Sequence, residues 1–484
     1  MLETERVRFP LDRWTYLPAR STGPSAAGAV KPADRADPPA TAPGETFREP
    51  SAPSVPIVSG ERRVLLLQGP VGPFFTCLGE SFAARGYVVD RISFNGADGF
   101  WAKRPNGVML PYRSGIELLE PWLRATMSSA RYEMVLLFGC QRPVHVAARA
   151  VAEERGVPVV SLEEGYIRTG FVTVELGANN AGSPVAGALP DAMDHRYRLS
   201  PEVRPKKHWM GTYSAIHFIV RNTLTVGARR ELFHKRRPLV PEALRWMRAL
   251  GRGAAAWGRD RWLGGGRGTR MSVEHADGYD LVILQVHDDA QMGAAARGWT
   301  NEKLVQETIE SFARFAPADR RLLFKIHPHE RGHTKDHRLI EELSERWNVA
   351  DRVAWVYTGA LSRFVERARG MIVINSTSGL SAIDKGCPLL VLGDAIYANP
   401  ALARIGGDAS AIDGFWRDDH VAPVELRRAY RGWLVERSMV VGDYYVPQTM
   451  RLTADNVADR AIALVADAAA TSPGGEVVPF PSAP

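Results

Sequence analysis

The sequence predicts an α/β protein with two Rossmann-like domains, a central cleft and a disordered N-terminal extension. Short apolar segments alternate with helix-like segments in two separate series, and glycines close several of these segments. A glycine-rich stretch, GGGRG at residues 264–268, separates the two series and resembles a hinge. Ligands of parallel α/β sheets bind at the carboxyl ends of strands, so functional side chains are expected there.

The first series begins at residue 64, where VLLLQG has the pattern of a buried strand that ends in glycine. A turn rich in Pro and Gly follows, and the next helix-like segment is closed by Gly86. The predicted strands are residues 64–69, 87–94, 133–139 and 157–162, and the predicted helices are residues 74–85 and 143–155.

The second series begins with YDLVILQV at residues 279–286 and again alternates strands with helices. Residues 411–466 then have a largely helical pattern. The predicted strands are residues 279–286, 321–326, 352–357, 371–374 and 389–392, and the predicted helices are residues 302–315, 361–369 and 380–385.

These patterns divide the chain into six segments, with the first domain expected to hold an acceptor and the second a nucleotide. The segments are a Pro-rich disordered extension (1–60), the N-terminal domain (61–200), a basic segment and hinge (201–272), the C-terminal domain (273–400), C-terminal helices (401–466) and a tail (467–484).

Composition is typical of a soluble globular protein, with 45% hydrophobic and 24% charged residues among 484. The three cysteines have no paired spacing, which argues against disulfides or a zinc site and favours a reducing compartment. No signal peptide is expected from the N-terminal sequence, and no run of apolar residues is long enough to predict a membrane span.

Positive charge is concentrated in one segment. Residues 201–270 contain 16 Lys and Arg against 4 Asp and Glu, whereas the net charge of the whole chain is +7. Trp246, Trp257 and Trp262 lie among arginines there, a combination that suits an anionic membrane surface. A solvated face, an acidic substrate and nucleic acid are alternatives, of which nucleic acid is the least favoured.

Residues 371–386, MIVINSTSGLSAIDKG, predict a buried strand, a hydroxyl-rich loop and a short helix closed by Gly386. The first amides of a helix have no backbone partner, and the helix dipole favours an anion there. Ser376, Thr377 and Ser378 add hydroxyl donors. A simple helix cap is the structural alternative.

Three further predicted strands end in polar residues. Glu163 and Glu164 follow the strand at residues 157–162 and offer a carboxylate. His327 follows a second-domain strand beside Lys325 and Arg331, a cationic set that suits a phosphate leaving group. Asp288 and Asp289 follow another strand and suit a metal or sugar hydroxyls.

Together these groups predict a transferase in which cationic groups stabilise a departing phosphate and a carboxylate acts on the acceptor or the sugar. The motifs of several other enzyme classes are absent from this chain. The chain has no GxxxxGK[ST] loop and no G-x-S-x-G elbow, and residues 69–72 do not form GxGxxG.

Over residues 64–399 the sequence resembles the bacterial capsule polysaccharide synthesis family of β-Kdo glycosyltransferases. The ordered motifs that carry this resemblance are LFGCQRPVH at 137–145, EEGYIR at 163–168, residues 285–291, His327-Pro328 with Arg331-Gly332, NSTSGL at 375–380, GCP at 386–388 and GDAIY at 393–397. The EEGYIR form and the single transferase unit resemble the branch that acts first on the lipid anchor.

The resemblance implies a GT-B arrangement, CMP-Kdo as the donor substrate, and neither a metal nor another cofactor. By matching motif positions, Glu164 is the catalytic carboxylate, His327 supports the CMP phosphate, and Ser376 and Thr377 grip that phosphate. The complete predicted site is catalytic Glu164 and His327; donor-binding Ser376, Thr377, Ser378, Gly379, Lys325, Arg331, Gln285 and Asp289; and acceptor-side Glu163, Arg142, His145, Asn95 and Arg168.

The partners implied are a CMP-sugar, a phosphatidylglycerol-type lipid acceptor or its Kdo linker, an anionic membrane surface and a capsule assembly or export complex, with no nucleic acid. The corresponding location is cytoplasmic and peripheral at the inner membrane. Two other functions stay open from the sequence. One is a non-catalytic capsule assembly or binding protein that kept the fold, and the other is a transferase that uses another nucleotide sugar.

Overall fold

The computed structural model describes residues 60–94, 106–167, 170–197, 278–287, 289–330, 333–357 and 359–471, with isolated positions between these ranges. Nearly all of the predicted N-terminal extension and most of the basic segment lie outside the described residues. The tail beyond Thr471 does so too.

The first domain begins with a regular alternation of strands and helices. Its elements are β1 (Arg62–Leu66), α1 (Phe74–Ala83), β2 (Tyr87–Ser93), β3 (Met109–Pro111), α2 (Leu119–Ser129), β4 (Tyr132–Phe138), α3 (Pro143–Glu154), β5 (Val159–Glu164) and β6 (Phe171–Leu176).

The second domain repeats this alternation, and the chain then continues through two longer helices. The elements are β7 (Tyr279–Ile283), α4 (Asn301–Phe315), β8 (Leu322–Lys325), α5 (Asp336–Arg346), β9 (Val353–Val356), α6 (Leu361–Arg367), β10 (Ala368–Val373), α7 (Gly379–Lys385), β11 (Leu389–Val391), β12 (Arg404–Ile405), α8 (Ser410–Asp413), α9 (Val424–Ser438), β13 (Met439–Val441) and α10 (Met450–Thr471).

The first sheet has seven strands in the order β13-β6-β5-β4-β1-β2-β3. Strands β1 to β5 pair in parallel, whereas β6 and β13 pair antiparallel at one edge. From β1 the chain order runs outward to β2 and β3 on one side and to β4 and β5 on the other. The switch point of this sheet therefore lies between β1 and β4, where a crevice forms at the carboxyl ends.

The second sheet has six strands in the order β9-β8-β7-β10-β11-β12, and all of its pairings are parallel. Here the order runs from β7 to β8 and β9 on one side and to β10, β11 and β12 on the other. Its switch point lies between β7 and β10, so the loops after these two strands face one crevice. Two parallel Rossmann-like sheets confirm the predicted fold class.

The C-terminal residues 401–466, expected as helices, do more than form a helical layer. They begin by completing the second sheet through β12, and β13 then pairs with β6 at the edge of the first sheet. Helix α10 packs on α1, where Ser81 Oγ donates to Asp455 at 2.7 Å and Arg85 Nε donates to Asp459 at 2.6 Å. The chain therefore returns to its first domain.

One hydrophobic cluster joins the two domains. Tyr166, Ile167 and Phe171, which flank the end of β5, share a buried cluster with Tyr279 and Leu281 of β7. The carboxyl end of β5 therefore lies against the second domain, as a cleft between domains requires. Among the described helices, none combines the length and the apolar character that crossing a membrane needs.

Candidate active site between the two domains

The hydroxyl-rich loop lies at the switch point of the second sheet. Asn375 after β10 is 91% buried, since 9% of its surface is exposed, and Ser376, Thr377 and Ser378 are half-buried. Gly386, which ends α7, has φ +66°, the left-handed conformation that glycine adopts without strain. The predicted strand, loop and short helix are all present.

The predicted anion site made of free helix amides is not what forms. The amides of Gly379, Leu380 and Ser381 donate to the carbonyls of Ser376, Thr377 and Ser378 at 3.0, 3.1 and 3.0 Å. The Ser378 amide donates to Ser376 Oγ at 3.2 Å. Consecutive tight turns therefore use these amides internally, and the three hydroxyl residues of the loop stay half-buried.

Tyr397, which the sequence analysis did not include in the site, fixes this loop. Its hydroxyl donates to the Ser376 carbonyl, and its ring is fully buried. A Cβ atom on Gly379 would lie 2.2 Å from the Tyr397 hydroxyl oxygen, closer than any real contact. Glycine at position 379 therefore allows the ring to support the loop from beneath, which gives predicted donor residue Gly379 a packing role.

An amide network connects the loops after β7 and β10. Gln285, predicted to bind the donor, makes two backbone hydrogen bonds with the Asn301 side chain. Its backbone N–H donates to Asn301 Oδ1 at 3.1 Å, and its backbone carbonyl accepts from Asn301 Nδ2 at 2.7 Å. Gln285 Oε1 accepts from the Asn375 amide at 3.3 Å, and Asn375 Nδ2 donates to the Gln291 carbonyl at 2.9 Å. The network sets the spacing of the two loops that line the crevice.

His327 follows β8, the strand next to β7, and is half-buried. The adjacent Glu330 is 95% buried, with 5% of its surface exposed, and its carboxylate accepts from the His287 amide at 3.2 Å. His287 Nε2 lies 3.1 Å from Asp336 Oδ1, and this hydrogen bond raises the pKa of His287. Sequence reasoning missed Glu330 and Asp336, which brace the loops after β8 and β7.

Two predicted donor residues have mainly structural contacts. The Lys325 ammonium is buried and donates to the Tyr357 carbonyl at 2.8 Å, so it joins the ends of β8 and β9. Asp289 Oδ1 accepts from the Gln291 amide at 3.0 Å and caps a short 3-10 helix. Arg331 and Asp288 lie outside the described residues.

The predicted catalytic carboxylate lies at the end of a strand. Strand β5 extends through Glu164 because β6 pairs with it antiparallel, whereas the sequence predicted that Glu163 and Glu164 form a loop. Both side chains are half-buried. The Tyr444 hydroxyl donates to the Glu163 carbonyl at 3.1 Å, and Thr173 Oγ1 donates to the Glu164 carbonyl at 3.3 Å. Glu164 therefore projects from a rigid backbone.

A buried carboxyl group supports the segment after Glu164. The Tyr166 hydroxyl donates to Glu175 Oε2 at 2.6 Å and accepts from the Asn180 amide at 2.6 Å. Ser183 donates to the other Glu175 oxygen at 2.5 Å. Burial raises the pKa of Glu175 to about 7. A lone glutamate within the segment FVTVEL gave no sequence signal for this role.

The acceptor-side predictions separate into two groups. Arg142, at the N-cap position of α3, and the fully buried His145 lie after β4, next to β5 in the sheet. Neither His145 ring nitrogen has a hydrogen-bond partner within the described ranges, and burial lowers its pKa. His145 has no exposed surface in this structure. Asn95 and Arg168 lie outside the described residues.

The structure thus brings Gln285, His327, Ser376 and Thr377 to three adjacent strand ends of one sheet, with Glu164 at a strand end of the other. Two Rossmann-like domains with polar groups on both sides of the cleft define the GT-B class of fold. The chain belongs to the capsule polysaccharide biosynthesis protein family, whose profile matches residues 133–445. That range includes Glu164, His327, Ser376 and Thr377.

Two sequence relatives are similar over most of their length. The capsule polysaccharide export protein KpsS of Escherichia coli is 30% identical over 398 residues, which cover 80% of this chain and 98% of that protein. The capsule polysaccharide modification protein LipB of Neisseria meningitidis serogroup A is 26% identical over 401 residues, which cover 80% of this chain and 93% of that protein.

Among solved structures, the β-Kdo 2,7 transferase KpsC of Thermosulfurimonas dismutans aligns with 84% of this chain and 99% of that chain. The identity is 12% and the TM-score is 0.36. A TM-score of this size does not define a common fold, so the fold class rests on the two sheets themselves.

Proposed function

We propose that this chain is a glycosyltransferase of capsule polysaccharide biosynthesis that transfers Kdo from CMP-Kdo to a lipid acceptor of phosphatidylglycerol type, or to its Kdo linker. The observation that supports the proposal is that Glu164 ends β5 next to Tyr166, which packs in the cluster shared by the two domains. His327, Ser376 and Thr377 follow neighbouring strands of the second sheet. Family membership supports the capsule pathway, and the motif resemblance supports the donor.

In the proposed reaction, an acceptor hydroxyl attacks the anomeric carbon of Kdo while the bond from that carbon to the CMP phosphate oxygen breaks. Glu164 accepts the hydroxyl proton as a general base. CMP leaves with the bonding electron pair, and His327 with the Ser376 and Thr377 hydroxyls stabilises the phosphate charge. Gln285 and Asn375 hold the loops in position for this step.

The basic Trp-bearing segment supports a location at the cytoplasmic face of the inner membrane, where a lipid acceptor would be available. Because the relatives are named export and modification proteins, a capsule assembly complex is a further proposed partner. Residues 201–272 are mostly outside the described residues, so this part of the proposal rests on sequence alone.

A nucleotide screen followed by a turnover assay tests the donor. CMP should raise the melting temperature of the purified protein more than UDP or GDP does, and CMP-Kdo with lyso-phosphatidylglycerol should give a lipid product heavier by one Kdo residue. His327→Ala should abolish most turnover, whereas His420→Ala, at an exposed position, should not. Stabilisation by UDP or GDP alone would indicate another donor, and CMP binding without turnover would indicate a binding protein.

A further inference from the structure

Arg91 of β2 is a buried arginine with almost no partner. Its exposed fraction is 9%, and the one hydrogen bond of its side chain to a described residue is a long contact of 3.4 Å from Nη1 to Thr76 Oγ1. Nε has no partner within the described ranges. Burying an uncompensated charge is strongly unfavourable, so an anion is expected to compensate such a group.

Arg63 is a buried arginine of the same sheet that has a structural role, and it serves as a comparison for Arg91. Arg63 lies in β1 and is 5% exposed, and its guanidinium is paired with Asp90 at 2.9 Å and Glu61 at 2.7 Å. Glu61 precedes β1, and Asp90 is the residue before Arg91 in β2, so the Asp90 side chain lies on the face of the sheet opposite to that of Arg91. Arg91, in contrast, is near the carboxyl end of β2, the edge where ligands of parallel sheets bind.

The carboxylate of Asp98 attracts Arg91, but it also interacts with other groups. Asp98 accepts from Gln68 Nε2 at 3.0 Å and from the Phe94 amide at 2.9 Å. The Asp98 carboxylate attracts two guanidinium groups, that of Arg91 and that of the exposed Arg113. Among the described residues, two guanidinium groups therefore share this one carboxylate, which leaves a net positive charge in that part of the chain. Gln68 Oε1 is also buried without a partner among the described residues.

Helix α1 begins next to the Arg91 guanidinium. The Arg91 guanidinium lies 5.9 Å from the ring centre of Phe75, and Thr76 is its hydrogen-bonding neighbour, so it faces the first turn of the ten-residue helix. Pro73 is at the N-cap and no side chain caps the helix. The Thr76 amide donates to the Pro73 carbonyl at 2.9 Å, so the amides before it and the helix dipole are the groups that favour an anion, as the Arg91 charge does.

We propose that Arg91 and the first turn of α1 form an oxyanion-binding subsite for the acceptor, which takes a phosphate or a carboxylate. Anion binding itself does not depend on the proposed function, whereas its assignment to the acceptor does. Arg91 lies on β2, three strands from β5, or roughly 14 Å away at ~4.8 Å per strand. The bound anion would therefore belong to a part of the acceptor next to the reacting unit.

Binding measurements on the full chain test the subsite without turnover. With saturating CMP present, glycerol 1-phosphate and free Kdo serve as phosphate and carboxylate probes, and glycerol serves as the neutral control. Arg91→Met should weaken binding of the preferred anion by about tenfold or more, the loss expected for one charged hydrogen bond. Arg62→Met, at the exposed opposite end of the sheet, should bind like wild type.

The two probes distinguish the source of the anion. Binding of glycerol 1-phosphate alone assigns the subsite to a lipid headgroup, and binding of Kdo alone assigns it to an acidic sugar. If Arg91→Met does not fold, Arg113→Gln at the exposed neighbour should still weaken binding. Equal affinity in wild type and folded Arg91→Met, or binding of neither anion by wild type, would overturn the proposal.

Turnover separates this inference from the proposed function. If CMP-Kdo is a donor, Arg91→Met should raise the acceptor KM by about tenfold while the donor KM is unchanged. If the wild-type protein binds an anion through Arg91 but transfers no sugar, the transferase proposal fails and the subsite stands. If transfer is normal and Arg91→Met leaves acceptor KM unchanged, the acceptor assignment fails alone.

Discussion

Tyr166, two residues beyond the proposed catalytic Glu164, donates a 2.6 Å hydrogen bond from its hydroxyl to the carboxyl group of Glu175. Glu175 is 1% exposed and also accepts from Ser183. Tyr166 belongs to the hydrophobic cluster that joins the two domains. This contact thus couples a titrating buried group to the segment that positions Glu164.

Stability should fall as pH rises through the titration of Glu175. Burial raises its pKa from 4.5 to about 7, so the folded state binds a proton that the unfolded state has released between these values. The free energy of unfolding should decrease by about 2–3 kcal/mol between pH 5 and pH 8 from this group. Glu175→Gln should remove that decrease, as measured by urea unfolding at each pH.

The exposed Glu345→Gln is the matched control for this series and should keep the wild-type pH dependence. A Glu175→Gln variant whose pH dependence equals that of wild type would show that Glu175 does not titrate in this range.

Gly379→Ala should destabilise the protein by about 1–3 kcal/mol, because the added methyl group would overlap the buried Tyr397 ring. The loop that carries Ser376 should shift with it, so nucleotide affinity should fall. Gly407→Ala is the control, since no atom lies within 4 Å of a Cβ there. Melting curves that show equal losses for both variants would contradict this packing role.

Ser376→Ala and Thr377→Val should each raise the donor KM by about tenfold, the cost of one hydrogen bond to a charged phosphate. Acceptor KM should not change, because these hydroxyls lie in the second domain. Steady-state kinetics with each substrate varied in turn measures both values. A rise in acceptor KM alone would show that the two hydroxyls bind the acceptor and not the donor.

The protein should bind liposomes that contain anionic lipid and release them as salt increases, because the 201–270 segment carries 16 basic and 4 acidic residues. Co-sedimentation at increasing NaCl concentration measures this dependence. Equal binding to neutral liposomes at high salt would be incompatible with an electrostatic role for the segment.

Local patterns predicted the parts of the fold that depend on local physics. Buried apolar runs that end at glycine marked β1 and β4, and a buried run followed by polar residues marked β10. Gly386 ends α7 in the left-handed conformation. Because parallel sheets place strand ends together, the same patterns also indicated that His327 and the Ser376 loop would lie on one edge.

Contacts between distant residues could not be predicted in this way. Strand β13 joins the first sheet from the far end of the chain, and Tyr444 bonds to Glu163 across 281 positions. Pairing with β6 converts the predicted loop at Glu164 into strand. The first amides of α7, those of Gly379, Leu380 and Ser381, were expected to be free, but they donate to the carbonyls of residues 376–378 in tight turns. The Tyr397 hydroxyl, from a residue further along the chain, donates to the first of these carbonyls.

The measurement that tests the central claim most directly is acceptor-dependent release of CMP from CMP-Kdo, with wild type, Glu164→Gln and Glu153→Gln compared at saturating substrates. Loss of a general base should lower the rate in Glu164→Gln by about 100-fold or more, while Glu153→Gln, at an exposed site on α3, should match wild type. A Glu164→Gln variant with the wild-type rate would contradict the assigned active site.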